Sequence, residues 1–338
     1  DLGELGLMRV EKSFNIISQV DVGILVFNDN FLSKEDRQII EALRKLSVPV
    51  IAVHNKSEIV PLDSAVAEEI NSMYGIDVVE FSTRIPNEQE QNEAKELLLA
   101  FIVKAASSSE FKEKDMFEGL VKRGDRVLLI CPIDSEAPTG RLILPQVNAI
   151  RSLLDKFVQV TVVQPESLPE IFTCGNSNKF DLVVTDSQVF KEVSPVIPQE
   201  IPFTSFSMLL ARSKGCFEKY IEGTPMISSL KDGDRVLILE SCTHHSSCED
   251  IGRVKLPALF RKFTGKDLLF DVVAGLDAIR RDIHEYAIVA QCGGCMITPR
   301  QLYSRLFPAI DSGIPVTNYG MAISYMNGIF DRAVKPLL

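Results

Sequence analysis

Two short stretches in the last third of the chain hold the residues best suited to chemistry. Cys242-Thr-His244-His245 follows the apolar run Arg235-Val-Leu-Ile-Leu239, and Cys292-Gly-Gly-Cys295 follows Tyr286-Ala-Ile-Val-Ala290. Thiolates bind soft metals, and a Cys-Gly-Gly-Cys turn lets two sulfurs face one centre. Cys242, Cys292, Cys295 and His244 would suit a structural zinc. Three thiolates with a replaceable fourth ligand would suit a 4Fe-4S cluster with one open iron. The fourth ligand stays open between His244 and an acidic residue, Glu249 or Asp250, reaching back over the loop. Cys248 is a spare thiol. His245 lies either beside a ligand or in solvent, and His54 and His284 read as surface or turn residues. Cys131, Cys174 and Cys216 read as small core or loop cysteines.

The elements that must position these ligands are strands. Both apolar runs read as buried strands, and a parallel α/β sheet builds its sites in loops at the carboxyl ends of its strands. If the two strands are neighbours, three thiols and an imidazole converge on one crevice. An internal repeat supports such a sheet. Gly124-Asp-Arg-Val-Leu-Leu-Ile130 recurs as Gly233-Asp-Arg-Val-Leu-Ile-Leu239, and Ile201-Pro-Phe-Thr-Ser-Phe-Ser-Met208 recurs as Ile314-Pro-Val-Thr-Asn-Tyr-Gly-Met321. Two matches in the same order imply two related α/β units of about 110 residues each. The first copy has Cys131-Pro-Ile-Asp134 and Asp186-Ser-Gln188 in its loops and no cysteine pair. One copy therefore reads as a metal unit and the other as a structural or assembly unit. Asp134 and Asp186 read as loop caps.

Ahead of the repeat, the pattern over about 1–106 is β-α-β-α-β-α, a doubly wound order. Val20 to Phe27 reads as a buried strand, Ser33 with Asp36 as a capping box, and Asn87 as the cap of a long helix. The strand ending near Val53 leads into Asn55-Lys56-Ser57-Glu58. Asn-Lys-x-Asp after a strand reads guanine: the Lys stem lies on the ring and the carboxylate accepts from the base. Here Glu58 replaces Asp, and Ser82 falls about where the next guanine loop would be. The sequence contains no G-x-x-x-x-G-K-[ST], the phosphate cradle that also supplies a hydroxyl to Mg²⁺. The expected organisation is a partial nucleotide domain at 1–106, a linker and assembly domain at 107–228, and a cluster domain at 229–338.

The formal charge of −10 over 338 residues argues against a general binder of nucleic acid or anionic membrane. No apolar run approaches the roughly 20 residues of a membrane span, and no signal peptide is visible. Seven cysteines, an odd number, do not read as a disulfide framework, so a reducing cytoplasm is expected. The first residue is Asp, and the chain reads as N-terminally truncated or numbered from an internal start.

These residues resemble the HydF maturation proteins of FeFe-hydrogenase, which join a GTPase domain, a dimerisation domain and an iron–sulfur domain carrying Cys-x-His…His-Cys-x-x-Cys. The resemblance runs over essentially the whole chain. It rests on Cys242-Thr-His244, Cys292-Gly-Gly-Cys295, Cys131-Pro-Ile-Asp-Ser, Gly140-Arg-Leu-Ile-Leu-Pro-Gln146, Val184-Thr-Asp-Ser-Gln188 and Thr317-Asn-Tyr-Gly320. It implies a partial Ras-like GTPase domain followed by two Rossmann-like parallel-sheet units, the first of them the homodimer interface. It implies a 4Fe-4S cluster, GTP or GDP with Mg²⁺ in the full-length protein, and a di-iron precursor as cargo. The implied partners are radical-SAM maturases and apo-hydrogenase. Gln291 stands where the family pattern often has His, which favours His244 or the acidic 249–250 stretch as fourth ligand. Two other readings stay open. One is a hydro-lyase whose open iron takes a hydroxy acid, with Arg253 and Arg300 as candidate substrate groups. The other is a zinc-stabilised regulatory GTPase relative. A radical-SAM enzyme is disfavoured, because the Cys-x-x-x-Cys-x-x-Cys triplet is missing.

Overall fold

The computed structural model describes residues 16–17, 19–85, 87–108, 111, 113–133, 140–173, 180–241 and 251–338. It divides into two compact units, Asp1–Lys112 and Glu113–Leu338. Among the described residues no helix is long and apolar enough to cross a membrane.

The first unit is built on a parallel sheet in the order β1 (Gly23–Phe27), β2 (Val50–Asn55), β3 (Val78–Phe81). The Lys34–Lys45 helix starts on the expected capping box: Ser33 Oγ accepts from Asp36 N, and Asp36 accepts from Ser33 N at 2.9 Å. The Glu88–Ser108 helix starts on Asn87, whose Oδ1 accepts from Gln89 N at 3.0 Å. Strand β1 departs from expectation. It is only half buried, because Leu25 and Phe27 face the core while Ile24 and Val26 are exposed. As an edge strand it is covered on one face only by the described residues. His54 also departs from the surface position read from sequence. It lies fully buried in β2, its ring 5.2 Å edge-on from Phe27.

The second unit holds two four-stranded parallel sheets. One runs β5 (Gln159–Val163), β4 (Arg126–Ile130), β6 (Leu182–Thr185), β7 (Phe203–Ser205). The other runs β9 (Leu269–Val273), β8 (Arg235–Leu239), β10 (Ile288–Gln291), β11 (Val316–Asn318). Strand for strand the order is the same, so the repeat read from sequence is a repeat of topology. The central strands are unbroken apolar runs because helices cover both faces of such a sheet. Ile130, Leu129, Leu239 and Ile238 have no exposure. Register makes the correspondence residue by residue. Ile130 pairs Val163 and Thr185, as Leu239 pairs Val273 and Gln291. Thr185 pairs Ser205, as Gln291 pairs Asn318. Ser205 and Asn318 each cap the helix that follows, Phe206–Lys214 and Tyr319–Met326.

One continuous core runs through both sheets. Its fully buried Phe190, Phe203, Phe260 and Tyr220 each stabilise the fold by roughly 1.5–3 kcal/mol on area grounds. The copies also touch through polar groups. Ser207 Oγ donates to Asn318 Oδ1 at 2.8 Å, and the Thr224 and Thr317 hydroxyls are 2.7 Å apart. Arg332 donates to the Ser194, Ile197 and Pro198 carbonyls.

The seam is close enough to depend on glycine. A Cβ at Gly223, which ends the Phe217–Gly223 helix, would meet the backbone O and N of Val316 in β11. Gly223→Ala is expected to lower the stability of the second unit by about 1–3 kcal/mol, the cost of overpacking. Urea unfolding of the full chain checks this, and an unchanged midpoint would contradict so tight a seam.

Candidate metal centre

Strands β8 and β10 are parallel neighbours, and the order β9-β8-β10-β11 reverses direction between them. Crevices at such switch points are where open α/β sheets bind ligands. Cys292 is the first residue past β10, and its N–H donates to Leu239 O at 3.0 Å, carrying the ladder one residue beyond the strands. Two residues past β8, the Ser241 N–H donates to the Cys292 sulfur at 3.1 Å. Ser241 Oγ lies 3.0 Å from the same sulfur. Gln291 Nε2 reaches Ser241 Oγ at 3.0 Å and Cys292 Sγ at 3.4 Å. The structure thus joins the ends of β8 and β10 through Ser241 and Cys292. Cys242 comes next in the chain after Ser241; Cys242, His244, His245, Cys248, Glu249 and Asp250 lie outside the described residues. Among the described residues no cluster of three or more metal-ligating side chains occurs.

The turn from Cys292 to Cys295 needs its two glycines. Gly294 has φ +69°, the left-handed region that glycine tolerates. A Cβ at Gly293 would press on Leu210 Cδ1 at 3.3 Å. Leu210 belongs to the Phe206–Lys214 helix of the first repeat, so that copy forms the back of the turn.

Two basic side chains, Lys214 and Arg305, stand near the cysteine turn. Lys214 ends that helix and is buried, with Nζ donating to Ile297 O at 2.5 Å and lying 3.6 Å from the Glu113 carboxylate. Burial pushes the Cys295 thiol up, neighbouring Cys292 adds to the shift, and Lys214 opposes it. Arg305 donates to the Glu240 and Val273 carbonyls at 2.7 and 3.0 Å. Burial lowers its pKa, and the negative charge of a Cys292 thiolate is the first of the influences opposing that shift. Tyr220, fully buried, has its phenol held well above the usual range by burial, then by Cys216 and Cys292. A sulfur that accepts from a backbone N–H and a side-chain amide, with Lys214 buried and Arg305 half-buried nearby, would suit a thiolate ligand of a soft metal or an iron–sulfur centre, and Cys292 and Cys295 are the described residues that fit that role. Sequence reasoning missed Ser241, Gln291, Lys214, Tyr220 and Arg305 as partners of the site. Ser241 and Gln291 adjoin the cysteines and could have been found by that adjacency. Lys214, Tyr220 and Arg305 arrive through packing and carry no sequence signal.

The first repeat shows what the site replaces. Cys131 N donates to Val163 O as Glu240 N donates to Val273 O, so Cys131 corresponds to Glu240 and not to a metal ligand. By the same register Asp186 stands where the second copy has Cys292, and it caps a turn by accepting from Gln188 N. Arg253, a candidate for holding a hydroxy acid, is already paired with Glu240 at 3.2 Å. His284 is exposed, with Nδ1 2.8 Å from Asp282.

In the first unit the structure brings together the residues proposed for guanine. Asn55 ends β2 in register with Phe81, Ser57 bonds to Phe81 O, and Ser82 follows β3 directly. Lys56 turns the chain at φ +59°. Glu58 is exposed, and its hydrogen bond from Ser82 holds its carboxyl below the usual range. Asn55 Oδ1 is buried without a hydrogen-bond partner among the described residues.

The hydrogen maturase F dimerization domain matches residues 116–215, and the hydrogen maturase F tetramerization domain matches residues 218–336. The chain belongs to the hydrogen maturase F family. The two matches meet between residues 215 and 218, in the turn from the Phe206–Lys214 helix to the Phe217–Gly223 helix. Family membership links the chain to hydrogenase maturation and to self-association. The unit read from sequence as the cluster domain is the one whose family description names tetramerization. No curated protein matches the chain. Two structures of O-succinylbenzoate coenzyme A synthetase from Bacillus subtilis, a double mutant with a product analogue and a complex with AMP, are 15% and 13% identical to it. Their TM-scores are 0.22 and 0.21, each covers 60% of this chain, and the chain spans 51% and 62% of theirs. Likeness at that level carries no weight for function.

Cys131 and Cys216 lie outside the ligand set and should be inert. Burial pushes their thiols up to about 12 and about 11, with Asp186 and Glu218 adding to the shifts. Only the thiolate reacts, so at pH 8 the reactive fraction falls by about three and two orders of magnitude below that of an ordinary thiol. Iodoacetamide labelling of the folded protein, read by peptide mass spectrometry, should be slow at both and rise only above about pH 10. Rapid labelling of either at pH 8 would contradict their burial.

Proposed function

We propose that this chain is a scaffold in FeFe-hydrogenase maturation. It holds a 4Fe-4S cluster in the crevice beyond β8 and β10, accepts a di-iron precursor from radical-SAM maturases and delivers it to apo-hydrogenase. The observation that carries this reading is the Cys292 sulfur at the switch point, bonded by the residue that precedes Cys242. Cys242, Cys292 and Cys295 would hold the cluster, with His244 or Glu249 as fourth ligand. When bound, the cluster supplies one iron whose fourth ligand can exchange, which is what a carrier of labile cargo needs.

The chain's own residues prepare that site. The Ser241 N–H fixes the Cys292 sulfur, the Gly293-Gly294 turn leads on to Cys295, and Lys214 and Arg305 would offset the negative charge of the thiolates. The first repeat lacks ligands at the equivalent register, which suits the homodimer interface. Asn55, Lys56, Glu58 and Ser82 form the guanine end of a GTP- or GDP-binding site, completed in the full-length protein by the phosphate cradle and Mg²⁺. Free thiols at Cys131, Cys216, Cys292 and Cys295 suit the reducing cytoplasm. The hydro-lyase reading is disfavoured by the Glu240–Arg253 pair, which occupies one of its substrate arginines.

Anaerobic reconstitution with iron and sulfide tests the reading. Wild-type protein should take up about four irons per chain, Cys292→Ser and Cys295→Ser should lose most of that iron, and Cys131→Ser should keep it. Tightly bound zinc with no iron would overturn the proposal.

A further inference from the structure

Gln291 is fully buried, yet its amide is not spent on holding the sheet. Its backbone carbonyl accepts from Asn318 Nδ2 across to β11, while the side-chain Nε2 turns towards the cysteine. It lies 3.0 Å from Ser241 Oγ, 3.1 Å from Cys292 O and 3.4 Å from Cys292 Sγ. Ser241 is buried too, and its Oγ is 3.0 Å from the sulfur. While Cys292 is a thiol, its S–H donates to Ser241 Oγ. A thiolate has no proton to give, so the serine hydroxyl must reverse and donate to the sulfur. Gln291 Nε2 makes that orientation the favoured one, because it already donates to the serine oxygen. The Ser241 N–H completes the set at 3.1 Å.

We infer that Gln291 and Ser241 are positioning residues for the Cys292 ligand: the amide locks the serine hydroxyl onto the sulfur, and together they set the electron density of the centre it binds. The inference rests on the cluster reading above and adds the residues that tune it. Hydrogen bonds to a ligand sulfur withdraw electron density, and the reduced, more negative form gains more from them than the oxidised form. A donor chain also polarises along its length, so losing Gln291 weakens the serine bond as well as its own. Removing either residue should therefore lower the reduction potential without removing a ligand.

The test uses the full chain reconstituted anaerobically, compared at equal iron and sulfide content, with the potential read by an EPR-monitored redox titration. Ser241→Ala, the smallest change, and Gln291→Leu should each shift the midpoint potential downward. Gln291→Glu loses the donors and adds a negative charge, so it should shift the potential further. Ser241→Thr restores a hydroxyl and should return the potential towards the wild-type value. Wild-type potentials in Ser241→Ala and Gln291→Leu at full iron content would overturn this inference and leave the cluster reading standing. Wild-type protein that takes up no iron would overturn both.

Discussion

Everything at the site depends on one strand pairing. Because β8 and β10 run parallel and adjacent, with Leu239 opposite Gln291, the residues just past each strand meet. A shift of one residue in that register would turn Ser241 and Cys292 away from each other, since successive side chains point to opposite faces. The buried runs Val236–Leu239 and Ile288–Gln291 hold the register by their packing, and the Cys292 N–H bond to Leu239 O extends it into the loop. Local chemistry then completes what packing begins. The Ser241 N–H finds the Cys292 sulfur, and Gln291 finds both.

Duplication explains how two differently furnished crevices come from one fold. The two copies share strand order, register and the cap of the helix after the last strand. They differ at the carboxyl ends of their central strands, where one has Cys131 and Asp186 and the other Glu240 and Cys292. The thiol of Cys131 is buried and held neutral, so it serves packing. The copies are also not independent. The first supplies Leu210 and Lys214 to the back of the cysteine turn, and the seam carries direct contacts such as Ser207 to Asn318.

Much of the fold was legible in the sequence for simple reasons. The repeated Gly-Asp-Arg-Val-Leu and Ile-Pro-x-Thr stretches are a turn with its central strand and a last strand with its helix cap, so sequence similarity translated directly into topology. Ser33 and Asn87 marked helix starts because capping is local. Strand β1 and His54 were misread, because burial of a strand face depends on what lies across the sheet and not on the strand's own composition. Of the cysteines marked by spacing, Cys292 and Cys295 lie in one turn beyond β10, and Cys242 lies outside the described residues. Lys214 and Tyr220 were not legible, because their approach to Cys295 and Cys292 is made by tertiary packing over long separations in the chain, and Arg305 was not, because only the packing of the Pro299–Asp311 helix aims it at the ends of β8 and β9.

The proposed carrier role turns on whether one iron of the centre keeps an exchangeable ligand. EPR of the reduced, reconstituted chain with and without added imidazole measures this directly. A 4Fe-4S signal that shifts on adding imidazole is the expected result. A signal indifferent to imidazole would mean a closed, four-ligand cluster and would contradict the carrier role.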